Sequence, residues 1–424
     1  SFQGEAGLEN YKAELDAFIQ HTLNQRYNGE TPPQLALVSP IAFEDLSDTY
    51  DLPNGERENA NLELYTEAMR EVAARHDVLF IDAFAPSRRW YRSSDEPLTI
   101  DGFQLTDAGY ARFASFIADE IFGGSTDAAE THRSLVRDAV LEKNWFWHND
   151  YKIPNGVHVF GRRYNPFGPD NYPYELKKIR QMTAIRDTAI WLAAKGERMD
   201  LEAADARTIE LPPVQTNYDL SEAGGEVRYL YGQEALDKLK VAPGYKIELF
   251  ASEQEFVDLA NPVQLSFDNK GRLWVATMPS YPHWKPGDGR PNDKILIFED
   301  TDGDGKADKQ ITFADSLHLP VGFELAPEGV YVSQGTNLIL LTDTDGDDRA
   351  DKKEILLSGF DDHDTHHAIS AFTADPSGAI YMAEGTFLHT NVETPYGPVR
   401  GTNGGFFRYD PQRRQLERTA QLAI

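Results

Sequence analysis

The stretch FELAPEGVYVSQGTNLILLTDTDGDDRADKKEILLS, residues 323–358, decides the fold of the second half of the chain. It contains four short apolar segments, which alternate with a glycine turn, a second turn and an aspartate-rich loop. LSFDNKGRLWVATMP (265–279) and FTADPSGAIYMAEGT (372–386) repeat its first half. Short strands separated by glycine-containing turns indicate antiparallel sheets.

The spacing of these repeats indicates the architecture. A third strand ending in aspartate follows each repeat, at KILIFED (294–300), NLILLTD (337–343) and GGFFRYD (404–410), and a fourth strand comes after it. Four strands per repeat, at intervals of roughly 45 residues, are typical of β-propeller blades. Closed rings have about four to eight blades. We therefore predict an all-β region over residues 241–424, a partial β-propeller of three four-stranded blades.

The front of the chain has a different pattern. QLALVSPI (34–41) and VLFIDAF (78–84) read as buried strands, and segments of helical periodicity precede and follow them. Thr106 stands where it can cap a further helix. Alternating helices and strands predict an α/β domain with a parallel sheet over residues 1–125.

Two segments connect these regions. Residues 126–204 read as a helical extension, and residues 205–240 as a Pro- and Gly-punctuated linker with one short helix. Aromatic side chains are concentrated in residues 144–173, and we expect them to pack the extension onto residues 1–125 rather than to bind a ligand. The predicted fold class is therefore multidomain, α/β followed by all-β.

Composition limits the partners of the chain. Its 424 residues carry 41 basic and 69 acidic side chains, and the net charge of −28 repels nucleic acid and anionic lipid surfaces. Such a surface suits divalent cations and neutral substrates such as carbohydrates. The absence of Cys excludes disulfides, thiolate ligands and haem attachment through Cys.

The ends of the chain and its hydropathy predict its location. No apolar run approaches the length of a transmembrane segment. The first residue is Ser1 rather than Met, no signal peptide is present, and each end falls inside a predicted domain. We expect a fragment of a longer exported protein, periplasmic or at the cell surface.

Two acidic loops, EDTDGDGKADK (299–309) and TDTDGDDRADK (342–352), occupy the same hairpin connection in successive repeats. Alternate aspartates converge their oxygens when such a loop curls, and Ca²⁺ takes six to eight oxygen ligands. The predicted ligands are Asp300, Asp302, Asp304, Asp308, Asp343, Asp345, Asp347 and Asp351. Neither loop is a complete EF-hand loop, and the alternative is a solvated acidic turn. Bound Ca²⁺ would fix the hairpin rather than catalyse.

Three histidines, His363, His366 and His367, precede the third repeat in GFDDHDTHHAIS (359–370). Neighbouring side chains of a strand point to opposite faces, so we expect that His366 and His367 do not bind one metal ion together, and a transition-metal cluster is the minor alternative.

The residues around His367 resemble the soluble sugar-dehydrogenase type of propeller. A histidine of that pattern precedes a strand of the form L-x-F-G-P-D-G-x-L-Y-x-x-x-G-D, and the chain differs from it at Ser377 and Thr386. The resemblance implies that His367 is a general base that helps hydride pass to a quinone such as PQQ. A channel histidine without chemistry is the alternative. The matching positions are Phe372, Pro376, Gly378, Tyr381 and Gly385.

Residues 205–424 as a whole resemble a second family. Segments 248–287 and 393–411, with the two acidic loops, are similar to the propeller of planctomycete-type (PVC) membrane-bound or haem-binding dehydrogenases. Members are exported, multidomain proteins that commonly add a C-terminal cytochrome c-like domain. The resemblance therefore implies haem only in a domain that this chain does not include.

Residues 1–125 resemble the second half of an SGNH (GDSL-like) hydrolase. LTIDGFQLTDAGY (98–110) stands where that family has D-G-x-H-L-T-x-x-G-Y, so Asp101 corresponds to the triad aspartate. Gln104 replaces the histidine, and an amide cannot take the proton of a nucleophilic serine. That serine belongs upstream of Ser1. We expect this segment to lack esterase activity as supplied.

Three functional hypotheses follow. The first is an exported oxidoreductase that acts on a sugar or another alcohol through the propeller. The second is carbohydrate ester hydrolysis by the SGNH-like domain. The third is a non-catalytic, calcium-stabilised propeller that binds glycans or protein.

Overall fold

The computed structural model describes residues 3–124, 130–153, 156–161, 164–215 and 229–421. The chain divides into two compact units. Unit 1 consists of Ser1–Asp127, Thr394–Gly397 and Asp410–Gln415. Unit 2 consists of Ala128–Glu393, Pro398–Tyr409 and Leu416–Ile424.

Unit 1 contains the α/β layer that the sequence predicts. Its strands β1 and β2 pair in parallel, with Leu37 opposite Phe80. Thr106 caps the last helix, since its hydroxyl accepts a hydrogen bond from the Gly109 N–H at 3.2 Å. The elements are α1 (Leu8–Leu23), β1 (Ala36–Val38), α2 (Glu56–Arg75), β2 (Leu79–Ile81), α3 (Phe84–Ser93) and α4 (Asp107–Phe122).

The helices of unit 2 pack against the β region, which corrects one expectation. Trp145 and Phe146 lie on Trp284, with ring centroids 4.5 and 5.5 Å from it. Trp145 and Phe146 therefore belong to a core inside unit 2, whereas the expectation assigned them to packing on residues 1–125. The helices are α5 (Glu130–Lys152), α6 (Gly168–Ala194), α7 (Leu201–Asp205) and α8 (Gly232–Leu236).

Three four-stranded antiparallel sheets follow, as predicted. Sheet 1 has the order β3-β4-β5-β6, sheet 2 the order β7-β8-β9-β10, and sheet 3 the order β11-β12-β15-β16 with the hairpin β13–β14 inserted. Neighbours in sequence are neighbours in each sheet, which is the strand order of a propeller blade. The strands are β3 (Pro262–Phe267), β4 (Leu273–Thr277), β5 (Asp293–Glu299), β6 (Lys309–Leu317), β7 (Phe323–Ala326), β8 (Gly329–Gln334), β9 (Asn337–Thr342), β10 (Lys352–Ser358), β11 (Ser370–Ala374), β12 (Ile380–Glu384), β13 (Asn391–Val392), β14 (Val399–Arg400), β15 (Gly405–Asp410) and β16 (Gln415–Gln421).

The sheets bury apolar side chains between them. Ile297 of sheet 1 and Ile339 of sheet 2 belong to one core cluster, and Tyr331 of sheet 2 and Phe407 of sheet 3 belong to the next. Side chains alternate between the two faces of a strand, so one face of sheet 2 packs against sheet 1 and the other against sheet 3. Its middle strands are consequently buried on both faces.

Along the described part of the chain, no helix has the length and apolar character that crossing a bilayer requires.

Candidate functional site

The two acidic loops gather three carboxylates each. In the loop between β5 and β6, one oxygen from each of Asp300, Asp302 and Asp304 lies within 4.8 Å of the others. In the loop between β9 and β10, the same holds for the aspartates at 343, 345 and 347. Convergence therefore occurs at equivalent places in sheets 1 and 2.

Backbone N–H groups hold the first aspartate of each loop. Asp300 accepts hydrogen bonds from Gly303 N at 2.7 Å and Gly305 N at 2.9 Å. Asp343 accepts from Gly346 N at 2.7 Å and from Asp348 N at 2.8 Å. The Gly305 N–H is the main cause of a lowered pKa of Asp300, so this carboxylate stays ionised.

The fourth predicted ligand of each loop lies outside the cluster. Asp308 accepts hydrogen bonds from the Thr301 hydroxyl at 2.7 and 2.8 Å. Asp351 accepts one from the Thr344 hydroxyl at 2.6 Å. These pairs close the base of the loop instead of contributing an oxygen to the converging group.

The donor set fits a hard cation. Ca²⁺ binds oxygen atoms at about 2.3–2.6 Å, so its ligands are separated by up to about 5 Å, and three carboxylates within 4.8 Å meet that condition. The loops offer only oxygen, which excludes the nitrogen and sulfur ligands that zinc prefers. The aspartates at 300, 302 and 304, and those at 343, 345 and 347, are the residues that would hold calcium.

One residue distinguishes the second loop from the first. Asp348 stands where the first loop has Gly305, and both have positive φ, at 64° and 87°. The Asp348 carboxylate accepts two hydrogen bonds from Arg272 of sheet 1, at 2.8 and 2.9 Å. Arg272 is 11% exposed and also binds Asp268 and Glu299. Asp348 therefore joins two sheets and is not a member of the carboxylate cluster.

A second group precedes sheet 3 and consists of Asp364, His366 and His367, here named the Asp–His–His group. Asp364 Oδ1 lies 3.1 Å from His366 Nδ1, and its Oδ2 lies 3.3 Å from His367 Nδ1. The two imidazole centroids are 4.2 Å apart. The expectation that the two histidines point to opposite faces is wrong, because Thr365–His367 forms a 3₁₀ turn and not a strand.

The surroundings of His367 select its tautomer. Its Nδ1 lies 3.1 Å from the Thr386 carbonyl oxygen as well as 3.3 Å from the Asp364 carboxylate. Both neighbours are hydrogen-bond acceptors, so Nδ1 carries the proton and Nε2 has a free lone pair. An acid–base role of His367 is compatible with this arrangement.

The sequence interpretation missed Asp364. Its side chain is fully buried, while the side chains of His366 and His367 are 36% and 23% exposed. A buried carboxylate that contacts two imidazoles orients both rings. The signal was present in DDHDTHH, where an acidic residue precedes the histidine pair by one turn.

His318 precedes sheet 2 in the register that His367 has before sheet 3. Each histidine stands eleven residues before the turn glycine of its sheet, Gly329 or Gly378. The Nε2 atom of His318 is buried and has no hydrogen-bond partner within the described residues. Burial, and secondarily the neighbouring His283, lower the pKa of His318 to about 4. His318 is therefore a neutral core histidine.

Asp101 of unit 1 is fixed by neighbours that cannot relay a proton. It is 2% exposed and accepts hydrogen bonds from Phe103 N, Gln104 N and, at 2.9 Å, the Gln104 side-chain amide. Burial raises its pKa against the effect of these donors. Gln104 thus takes the place beside Asp101 that the resemblance assigns to a histidine, as an amide without basic character.

The chain therefore combines blade-type sheets with two acidic hairpin loops and an Asp–His–His group. Residues 232–422 match the family described as a domain of unknown function (DUF7133). No curated protein sequence matches the chain.

Several solved structures are similar to part of the chain. A calcium-binding protein, regucalcin, from Agrobacterium tumefaciens is 15% identical over 34% of this chain and 46% of its own, with a TM-score of 0.23. A luciferin-regenerating enzyme is 14% identical over 40% and 53%, with a TM-score of 0.27. A protein provisionally named a gluconolactonase is 13% identical over 42% and 63%, with a TM-score of 0.24. The chain thus spans less than two thirds of each.

Proposed function

We propose that unit 2 belongs to an exported, propeller-type oxidoreductase that oxidises a hydroxyl group of a carbohydrate or another alcohol. The observation that supports this proposal is the contact of buried Asp364 with His367 Nδ1. It leaves Nε2 of a partly exposed imidazole available to take a proton. A base oriented by a second group is what hydroxyl activation requires.

The proposed reaction balances in protons and electrons. His367 Nε2 takes the hydroxyl proton, the C–H bond gives a hydride to a quinone-type acceptor, and the carbonyl bond of the product forms. When bound, a quinone would supply the chemistry of accepting the hydride together with a proton from solvent. This chain contributes the base and its orientation, and the acceptor carries the two electrons. A positioned general base accelerates such a step by about 10² to 10⁴-fold.

Calcium has a structural role in this proposal. The aspartates at 300, 302 and 304 would hold one ion and those at 343, 345 and 347 another, and each ion would neutralise the mutual repulsion of its carboxylates. Fixing the hairpins stabilises sheets 1 and 2. Neither loop belongs to the Asp–His–His group, so calcium is not assigned a step in the reaction.

The experiment is a turnover assay on the chain. A panel of sugars and simple alcohols is tested with an artificial electron acceptor, with and without added quinone. His367→Ala is compared with His389→Ala, since His389 is an exposed imidazole of the same region outside the Asp–His–His group. Loss of turnover only in His367→Ala supports the proposal. Equal turnover in both variants, or none in the unaltered chain, contradicts it.

Two alternatives make different predictions. A non-catalytic propeller would keep glycan or protein binding in His367→Ala and show no turnover in any variant. Carbohydrate ester hydrolysis by unit 1 would appear as p-nitrophenyl acetate cleavage by the complete domain. The Asp101–Gln104 hydrogen bond argues against this second alternative, because it places an amide where the base is needed.

A further inference from the structure

We infer that Asp364, His366 and His367 together bind one divalent transition-metal ion, of the class of Zn²⁺ or Co²⁺. The ligands are the Asp364 carboxylate, whose two oxygens each face one imidazole, and the Nδ1 atoms of both imidazoles. The inference rests on the proposed function because it assigns an ion to the Asp–His–His group, which also contains the proposed base. Metal binding itself is independent of any turnover.

The distances fit a tetrahedral site. Metal–nitrogen and metal–oxygen bonds of about 2.0–2.1 Å place neighbouring ligands about 3.3 Å apart in a tetrahedron. The distances from the Asp364 oxygens to Nδ1 of His366 and His367 are 3.1 and 3.3 Å. One possible ligand atom from each of the three residues lies within 4.8 Å of the other two. An ion can therefore enter without a rearrangement of the backbone.

The local backbone holds the ligands in place before an ion arrives. The His367 N–H donates to the Asp364 carbonyl at 2.8 Å, which closes the 3₁₀ turn. The Thr365 hydroxyl donates to the Pro282 carbonyl at 2.8 Å and anchors the turn. Gly385 packs on His367 so closely that a Cβ there would lie 2.7 Å from the histidine side chain. A pre-formed geometry lowers the entropic cost of binding.

The donor types select the class of ion. Two imidazoles and one carboxylate, with a position left open, are the ligand set of many catalytic zinc and non-haem iron sites. The exposure of both imidazoles provides the open side. The Tyr281 hydroxyl, 3.3 Å from His366 Nδ1, and the Thr386 carbonyl offer further oxygens next to the ligands. The acidic loops contain only oxygen donors, so the two kinds of site prefer different ions.

Metal binding changes the role of His367. In the metal-free chain, a proton occupies Nδ1, and the metal displaces it because only an unprotonated nitrogen can bind. In the loaded chain, His367 is a ligand and the ion makes a bound hydroxyl group more acidic. Metal uptake is therefore accompanied by proton release and weakens as pH falls.

The test uses the full chain, stripped with a chelator and titrated with Co²⁺ in excess Ca²⁺. The calcium fills the oxygen-only loops, and the absorption spectrum of Co²⁺ reports nitrogen ligation. We expect one equivalent of Co²⁺ in the unaltered chain. His366→Ala and Asp364→Asn are expected to weaken binding at least about tenfold. His389→Ala is the matched control and is expected to bind Co²⁺ as the unaltered chain does.

The outcomes separate this inference from the proposed function. No Co²⁺ uptake by the unaltered chain overturns the inference, as does equal affinity in the unaltered chain and a folded His366→Ala. If His366→Ala does not fold, His366→Gln takes its place, and circular dichroism establishes the fold of each variant. Turnover without uptake contradicts the metal site alone, and uptake without turnover contradicts the oxidoreductase alone.

Discussion

Sheets 2 and 3 have the same strand order and the same histidine register, yet their histidines lie in opposite environments. Ahead of sheet 2, the half-buried His318 has an enclosed Nε2 atom, and burial together with His283 lowers its pKa to about 4. Ahead of sheet 3, His367 is partly exposed and touches a buried carboxylate. The position of a histidine in the repeat therefore does not determine its chemical role. That role depends on the neighbouring residues that the turn before the sheet supplies.

The connections between the last two strands differ in the same way. In sheet 2, three aspartates converge between β9 and β10. In sheet 3, the turn between β15 and β16 has one aspartate, Asp410, which accepts hydrogen bonds from Gln412 N and Arg413 N, each at 3.1 Å. Sheet 2 thus has a candidate calcium loop and a core histidine, while sheet 3 has the candidate reactive group.

The largest expected effect separates the two histidines by turnover. His367→Ala is predicted to lower kcat by about 10² to 10⁴-fold, because it removes the general base. His318→Gln is predicted to change kcat by less than about threefold, since His318 lies outside the Asp–His–His group. Steady-state kinetics with an artificial acceptor measure both. An equal decrease of kcat in the two variants would contradict the different roles assigned to His367 and His318.

The second effect is the pH dependence of stability that His318 causes. Its pKa is lowered in the folded chain relative to the ordinary 6.5, so its contribution to stability is full above pH 6.5 and is lost as pH falls towards 4. The loss amounts to about 3 kcal/mol of unfolding free energy. Denaturant unfolding at pH 7 and pH 4.5 measures it. His318→Gln is expected to be less sensitive to pH, and a variant with the unaltered slope would refute the burial of this imidazole.

The third effect concerns calcium. Calcium at about 100 times its Kd is predicted to add about 2.7 kcal/mol per loop to the unfolding free energy. Thermal melts with calcium and with EGTA measure the difference. The combined variant Asp300→Asn and Asp343→Asn should lose it, whereas Asp410→Asn, in the corresponding turn of sheet 3, should keep it. If the melting temperature does not change with EGTA, the loops do not bind calcium and are solvated acidic turns.

The smallest effect concerns the ion pair that links sheet 2 to sheet 1. Asp348→Gly removes the partner of Arg272 but keeps a residue that accepts positive φ. The expected loss of unfolding free energy is about 1 kcal/mol. The response to calcium should not change, because Asp348 is outside the cluster. A variant that loses the calcium response would make Asp348 part of the ion site.

Much of the architecture could be predicted from the sequence. The repeat of strand, glycine turn and strand is a local pattern, and it places all four strands of each sheet. The Thr106 cap is equally local. The packing of Trp145 on Trp284 could not be predicted, because the two residues are far apart in sequence and either domain offers an apolar surface.

The site was less accessible to sequence reasoning. The convergence of the loop aspartates follows from their spacing. The pairing of Asp348 with Arg272 joins positions 76 residues apart, and no local pattern indicates it. The Asp–His–His group was missed because a strand period was assumed where the backbone makes a 3₁₀ turn. A change of period moves neighbouring side chains from opposite faces to one.

The most direct test of the central claim is the protonation of His367, measured as ring nitrogen chemical shifts in metal-free, ¹⁵N-histidine-labelled chain at neutral pH. The account predicts that the neutral His367 ring carries its proton on Nδ1 and leaves Nε2 unprotonated. Assignment rests on the signals that disappear in His367→Ala. A His367 ring with its proton on Nε2 would contradict the hydrogen bond to the Thr386 carbonyl and the contact with Asp364, and with them the proposed base.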